Sequence, residues 1–71
     1  MMPLTMLRPG DKKTIARISG KEETKHFLES LGFTIGCDIS IISKNNGNFI
    51  IKVKESRVAI DTSLASKIMI A

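Results

Sequence analysis

The stretch Gly36-Cys37-Asp38-Ile39-Ser40-Ile41-Ile42-Ser43-Lys44-Asn45-Asn46-Gly47-Asn48-Phe49-Ile50-Ile51-Lys52-Val53-Lys54 decides the fold. At its centre Asn46-Gly47 is a hairpin signal, because both residues tolerate the positive φ of a type I′ turn. On the approach, Cys37, Ile39 and Ile41 alternate with Asp38 and Ser40, so one face of a strand opened by Gly36 is apolar and the other wet. On the return, Phe49, Ile51 and Val53 take the apolar face, and Ile50, Lys52 and Lys54 the opposite one. A strand repeats every two residues, so this pattern fixes the register as well as the secondary structure. It also throws Ile42 and Ile50 outward on adjacent strands.

Downstream, Glu55-Ser56 is short enough for a second tight turn, after which Val58 and Ile60 continue the inward pattern as far as Asp61. Residues 62–66 form one helical turn capped by Asp61 or Thr62, and Ile68 and Ile70 mark a last strand. Upstream, Thr14, Ile15 and Ile18 mark a strand over residues 12–19. Ile15 and Ile18 differ in parity, which requires a bulge or strong curl between them.

Between these strands, Ser19 and Glu22 have the spacing of a capping box. Thr24, Phe27, Leu28 and Leu31 then recur at helical intervals and predict a helix over residues 21–31, with Lys21, Glu22, Lys25, His26 and Glu29 on its wet face. Gly32 can take the left-handed conformation that ends a helix, letting Phe33 pack back on Leu28. Leu4 and Leu7, ahead of the Pro9-Gly10 turn, are expected to lie as a lid over the core. Together these elements predict a single mostly β domain over residues 1–71, a five-stranded small barrel with one inserted α-helix.

Composition agrees with that reading. Hydrophobic residues are 42% of the 71 and charged ones 25%, which suits a packed domain and argues against disorder. Cys37 is the single cysteine, so an internal disulfide is excluded and burial alone must hold the chain together. No apolar run approaches the roughly 20 residues needed to cross a bilayer, and a signal-peptide pattern is missing, so the expected compartment is the cytoplasm. A formal charge of +4 permits an acidic partner without naming one.

Particular residues now carry a resemblance. Leu4, Leu7 and Gly10, then Ile15 and Ile18 with Gly20, the Leu31-Gly32 helix end and the Gly32 to Gly36 spacing all resemble the FeoA family. So do Arg57, Ala59 and Ile60, which match its Arg-x-Ala-Leu strand, and Ala65 with Ile68, which match its closing Ala-x-x-Ile. The chain departs from the family at Glu22, Glu23 and Lys25, where arginines are common, and at Asn45-Asn46-Gly47, where a proline-containing loop is common. The resemblance implies an SH3-like barrel, monomeric or weakly self-associating. It implies an accessory of bacterial ferrous iron uptake that binds the cytoplasmic GTP-binding part of the FeoB permease and modulates its cycle. The place of work would be the cytoplasm, peripheral to the inner membrane through that partner. A family label of transition metal binding comes with it.

The chemistry-bearing residues give that label little support. His26 lies four residues after Glu22, so these two could meet an ion, but a structural Zn(II) or Fe(II) site usually takes about four protein ligands. Direct Fe(II) binding is therefore unsupported by ligand spacing, and no cofactor is expected. Cys37 falls on the apolar face, where a thiol is inert. The Gly10 to Thr14 stretch lacks the glycine and helix of a phosphate-binding loop, and the lone histidine has no nucleophile at a telling distance, so an enzyme is not expected. The rival is a small basic RNA-binding barrel. Gly36-Cys37-Asp38-Ile39 is similar to the turn and strand of KOW-type domains, and Lys44, Lys52 and Lys54 could form a basic strip. Single-strand binders use exposed aromatic rings, however, and all three phenylalanines fall at inward or helix-core positions. The chain has no tryptophan or tyrosine, so an aromatic groove for proline-rich peptides is not expected. For a protein partner the candidate contacts are Arg17, Lys21, Lys25, Glu29 and Arg57 as the polar part, with Ile42 and Ile50 as the apolar part.

Overall fold

The computed structural model describes all of residues 1–71. Six strands and two helices follow in the order β1 (Met2–Pro3), β2 (Lys12–Ile18), α1 (Glu22–Ser30), β3 (Asp38–Asn45), β4 (Asn48–Val53), β5 (Ser56–Asp61), α2 (Thr62–Ala65) and β6 (Ile68–Ile70). A single 3₁₀ turn, Leu4–Met6, follows β1. The strands pair antiparallel in the order β1-β6-β2-β3-β4-β5. One strand more than expected is present, because Met2 and Pro3 pair with Ile70 and Met69. Two residues are too few to show a period in sequence.

β2 is the corner on which the sheet turns. Its first half, Lys12 to Thr14, pairs with β3, and Ile15 to Ile18 pair with β6. The expected irregularity falls between Ile15 and Arg17 and lets Ile15 and Ile18 both face the core, at 1% and 8% exposure. At the central hairpin Asn46 and Gly47 take φ values of +24° and +82°, as a two-residue primed turn requires. The next turn sits at Lys54-Glu55, one residue earlier than Glu55-Ser56. That register sets buried Ile60 opposite buried Phe49, where the other would have set polar Thr62 there.

The helix departs from the sequence reading at both flank and start. Ser19 caps nothing: its hydroxyl donates to the Lys67 carbonyl at 3.2 Å, and Lys21 at the N-cap makes no side-chain bond. Glu22 and Glu23 in the first turn instead oppose the positive end of the helix dipole. Phe27, expected at the helix-core contact, is 50% exposed. α1 rests on the barrel through Leu28, and Phe27 lies a hundred degrees or so around the helix from it, too far to reach so small a core. The C-terminus is a Schellman motif, with Gly32 at φ +105°, its amide donating to Glu29 and the Phe33 amide to Leu28. Phe33 and Leu28 are both fully buried behind it.

Asp61 caps α2 by accepting the Leu64 amide at 2.8 Å. Leu4 and Leu7 close the core as a lid, at 0% and 3% exposure. All fifteen buried residues are apolar, and every other polar side chain remains in contact with solvent. The interior is therefore held together by apolar packing alone. No helix is long and apolar enough to cross a membrane.

Candidate functional site: two surface grooves

The first groove, about 220 Å³, lies where α1 leans on β2 and is lined by Ile18, Lys25, Glu29, Thr34 and Ile35. Lys25 and Glu29, one helical turn apart, form its charged wall. Ile35 is its apolar lip and is 70% exposed. The Gly32 motif turns the chain at the helix end, Gly36 at φ +89° turns it again, and the loop between them projects Ile35 outward. Sequence reasoning found Lys25 and Glu29 and missed Ile35. Its signal was an isolated isoleucine in a glycine-bounded loop, outside any periodic element. Lys21 is exposed at the helix start, and Arg17 is exposed on β2 beside Ile18.

The remaining candidates, Ile42, Ile50 and Arg57, sit on the β3-β4-β5 meander and do not line this groove. Ile42 is the extra residue of a bulge between Ile41 and Ser43. It and Ile50 are half-buried and form no exposed apolar patch; the exposed large apolar residues are Met1, Met2, Met6, Phe27 and Ile35.

A second, shallower groove of about 460 Å³ runs over the outer face of the meander, lined by Lys12, Asp38, Ile39, Ser40, Lys52 and Lys54. Register sets Lys12, Ser40, Lys52 and Arg57 side by side across four strands. Asp38 accepts the Thr14 hydroxyl at 2.8 Å, and no lysine of the row has an ion-pair partner. The basic strip expected from Lys44, Lys52 and Lys54 is thus redrawn. Lys44 turns away to the lid, donating to the Thr5 carbonyl at 3.3 Å, with its Nζ 5.3 Å from the centre of the Phe49 ring. Lys12 takes its place.

For metal, His26 Nε2 stands 3.7 Å from Glu22 Oε2 on the exposed helix face, and Glu22 also reaches Lys25 at 4.0 Å. No third histidine, cysteine, aspartate or glutamate joins them. Cys37 is half-buried against the core, its thiol directed to the Asp38 carbonyl at 3.6 Å. What the surface offers is one amphipathic groove and one basic face, both suited to contact with a macromolecule.

Known proteins share this fold. The FeoA domain model matches residues 2–71. A Methanocaldococcus jannaschii protein that carries the name Fe(2+) transport protein A is 34% identical over 70 residues, covering 99% of this chain and 85% of its own. A crystal structure of an iron uptake regulatory protein, FeoA, superposes with a TM-score of 0.91 at 33% identity, over 97% of this chain and 93% of that one. Stenotrophomonas maltophilia FeoA, crystallised with zinc and described as a procaryotic SH3 domain protein, shares the fold at a TM-score of 0.87 and 18% identity, over 100% and 91% of the two chains. With its bulged corner strand, central hairpin and glycine-ended helix, this SH3-like chain belongs to the FeoA family of ferrous iron transport proteins.

Proposed function

We propose that this chain is an accessory of ferrous iron uptake that docks on the cytoplasmic GTP-binding part of a FeoB-like permease and modulates its cycle. Family membership supplies the process. The observation that carries the mode of action is an interior made only of apolar side chains, which leaves the outer surface as the working part. The docking face is the α1-β2 groove: Ile35 and Ile18 supply apolar contact, Lys25 and Glu29 a charged pair of both signs, and Arg17 and Lys21 the polar rim. An exposed isoleucine at a groove lip supplies apolar area that a partner can bury. Direct Fe(II) binding is not needed for this role, and the Glu22–His26 pair alone is too few ligands for it.

The test is titration of ¹⁵N-labelled chain with the permease's soluble GTP-binding portion in its GDP-bound and GTP-analogue-bound states. Amide shifts gathered around Ile18, Lys25, Glu29 and Ile35, and lost in Ile35→Asp, are the expected result. No shift in either nucleotide state, together with RNA retained at moderate salt through Lys12, Lys52 and Lys54, would reverse the assignment in favour of the RNA-binding barrel.

A further inference from the structure

The sheet ends at β5, whose second edge has no strand beside it. Which backbone groups face outward follows from the hairpin. A two-residue turn makes its flanking residues, Val53 and Ser56, a hydrogen-bonded pair, so Val58 and Ile60 also direct their amides and carbonyls to β4. The far end agrees, since the Thr62 amide donates to the Gly47 carbonyl at 2.8 Å. Arg57, Ala59 and Asp61 therefore turn their backbones away from β4, and all three are exposed.

Natural edges are usually guarded by a proline, a bulge, charged side chains or a covering loop. β5 pairs with β4 over six residues without a break and has no proline or bulge; its charges, Arg57 and Asp61, are of opposite sign and flank a middle Ala59. The opposite edge, β1, is two residues long and contains Pro3. The charges on β5 have a symmetry of their own. Arg57 and Asp61 stand two residues either side of Ala59, and Arg57 faces a like charge, Lys52, within its own sheet.

We propose that β5 pairs antiparallel with β5 of a second copy of this chain, about a two-fold axis at Ala59. That register makes Ala59 meet Ala59 of the second copy through two reciprocal amide bonds. It sets Arg57 opposite Asp61 of the second copy, and the same pair recurs across the axis. Each Arg57 gains an acidic neighbour on the side away from Lys52. A parallel or shifted pairing would lose one or both of these ion pairs. The contact is isologous and closes on itself, so it ends at a dimer. A single strand pair is small for an interface, and the dimer is weak, with a dissociation constant on the order of 10⁻⁴ M. None of this depends on the permease, so it stands or falls separately from the proposed function.

Sedimentation equilibrium of the full chain up to about 1 mM reads the association directly. Arg57→Glu alone and Asp61→Lys alone each set like charges across the axis and weaken dimerisation about tenfold or more. An equimolar mixture of the two variants restores it, because the new glutamate meets the new lysine and the native Arg57 meets the native Asp61. Asp61 also caps α2, so Ala59→Pro serves as the independent variant: it removes an outward amide that β4 does not use, and it leaves the chain monomeric with an unchanged circular dichroism spectrum. Concentration-dependent amide shifts fall on residues 57–61. A wild-type mass that stays monomeric to about 1 mM, a dimer that survives Ala59→Pro, or a mixture of folded charge variants that fails to reassociate overturns the proposal.

Discussion

Replacing Phe33 by alanine tests the claim that the helix terminus and the barrel core are one packed unit. Phe33 has no exposed surface, and its amide is the second bond of the Schellman motif. Phenylalanine-to-alanine changes at fully buried sites cost about 3–5 kcal/mol, from lost transfer energy plus the cavity left behind. A chain of 71 residues has a total stability of about 4–11 kcal/mol. The substitution therefore removes a large share of it. With an unfolding entropy of about 0.15 kcal/mol/K for this length, the melting temperature falls by roughly 20–33 °C. With no tryptophan or tyrosine in the chain, far-UV circular dichroism or calorimetry is the suitable assay. Phe27→Ala is the matched control: the same side chain, half exposed, should cost less than about 1 kcal/mol and lower the melting temperature by no more than about 7 °C. Equal drops for the two variants, or a drop under about 5 °C for Phe33→Ala, would refute the packing described for the helix end.

Three further outcomes are expected. Gly47→Ala forces a left-handed φ of +82° on a residue with a Cβ that meets nothing closer than 4.0 Å, so the cost of about 1–2 kcal/mol is conformational and Gly47→Asn recovers part of it in a thermal melt. Asp61→Ala removes the cap on Leu64 and costs about 1 kcal/mol, read as a shift of the urea midpoint with the slope unchanged, while Asp61→Asn retains most of the stability. His26→Ala leaves stability within about 0.5 kcal/mol and leaves Zn(II) binding by calorimetry as weak as in the parent chain; a strong site lost in the variant would show that the Glu22–His26 pair recruits ligands from elsewhere.

The two grooves divide the surface by chemistry. The α1-β2 groove has one apolar lip and charges of both signs, and the meander face carries unpaired cations, with Ile39 the one apolar residue of its lining. Placing the permease at the first and a second copy of the chain along β5 uses different elements, so both contacts can form at once. Lys12, Lys52 and Lys54 then remain open to solvent and set the salt dependence of any weaker acidic contact.

Strands β3, β4, β5 and β6, the helix, its glycine end and the bulge in β2 were legible from local signals alone. Alternation of two, recurrence of three and four, and glycine at positive φ act within a few residues, and one parity conflict between Ile15 and Ile18 was enough to require a bulge. Only the tertiary structure decided the rest, because each point turns on residues distant in the chain. β1 exists because β6 offers it an edge, Ser19 serves Lys67 rather than the helix, and Lys44 leaves the basic strip for Thr5 in the lid. Phe27 is left outside because a core of fifteen side chains is too narrow to hold a second row of the helix. Both the groove at Ile35 and the free edge at Ala59 are properties of where the sheet turns and where it stops, and a period read along the chain carries neither.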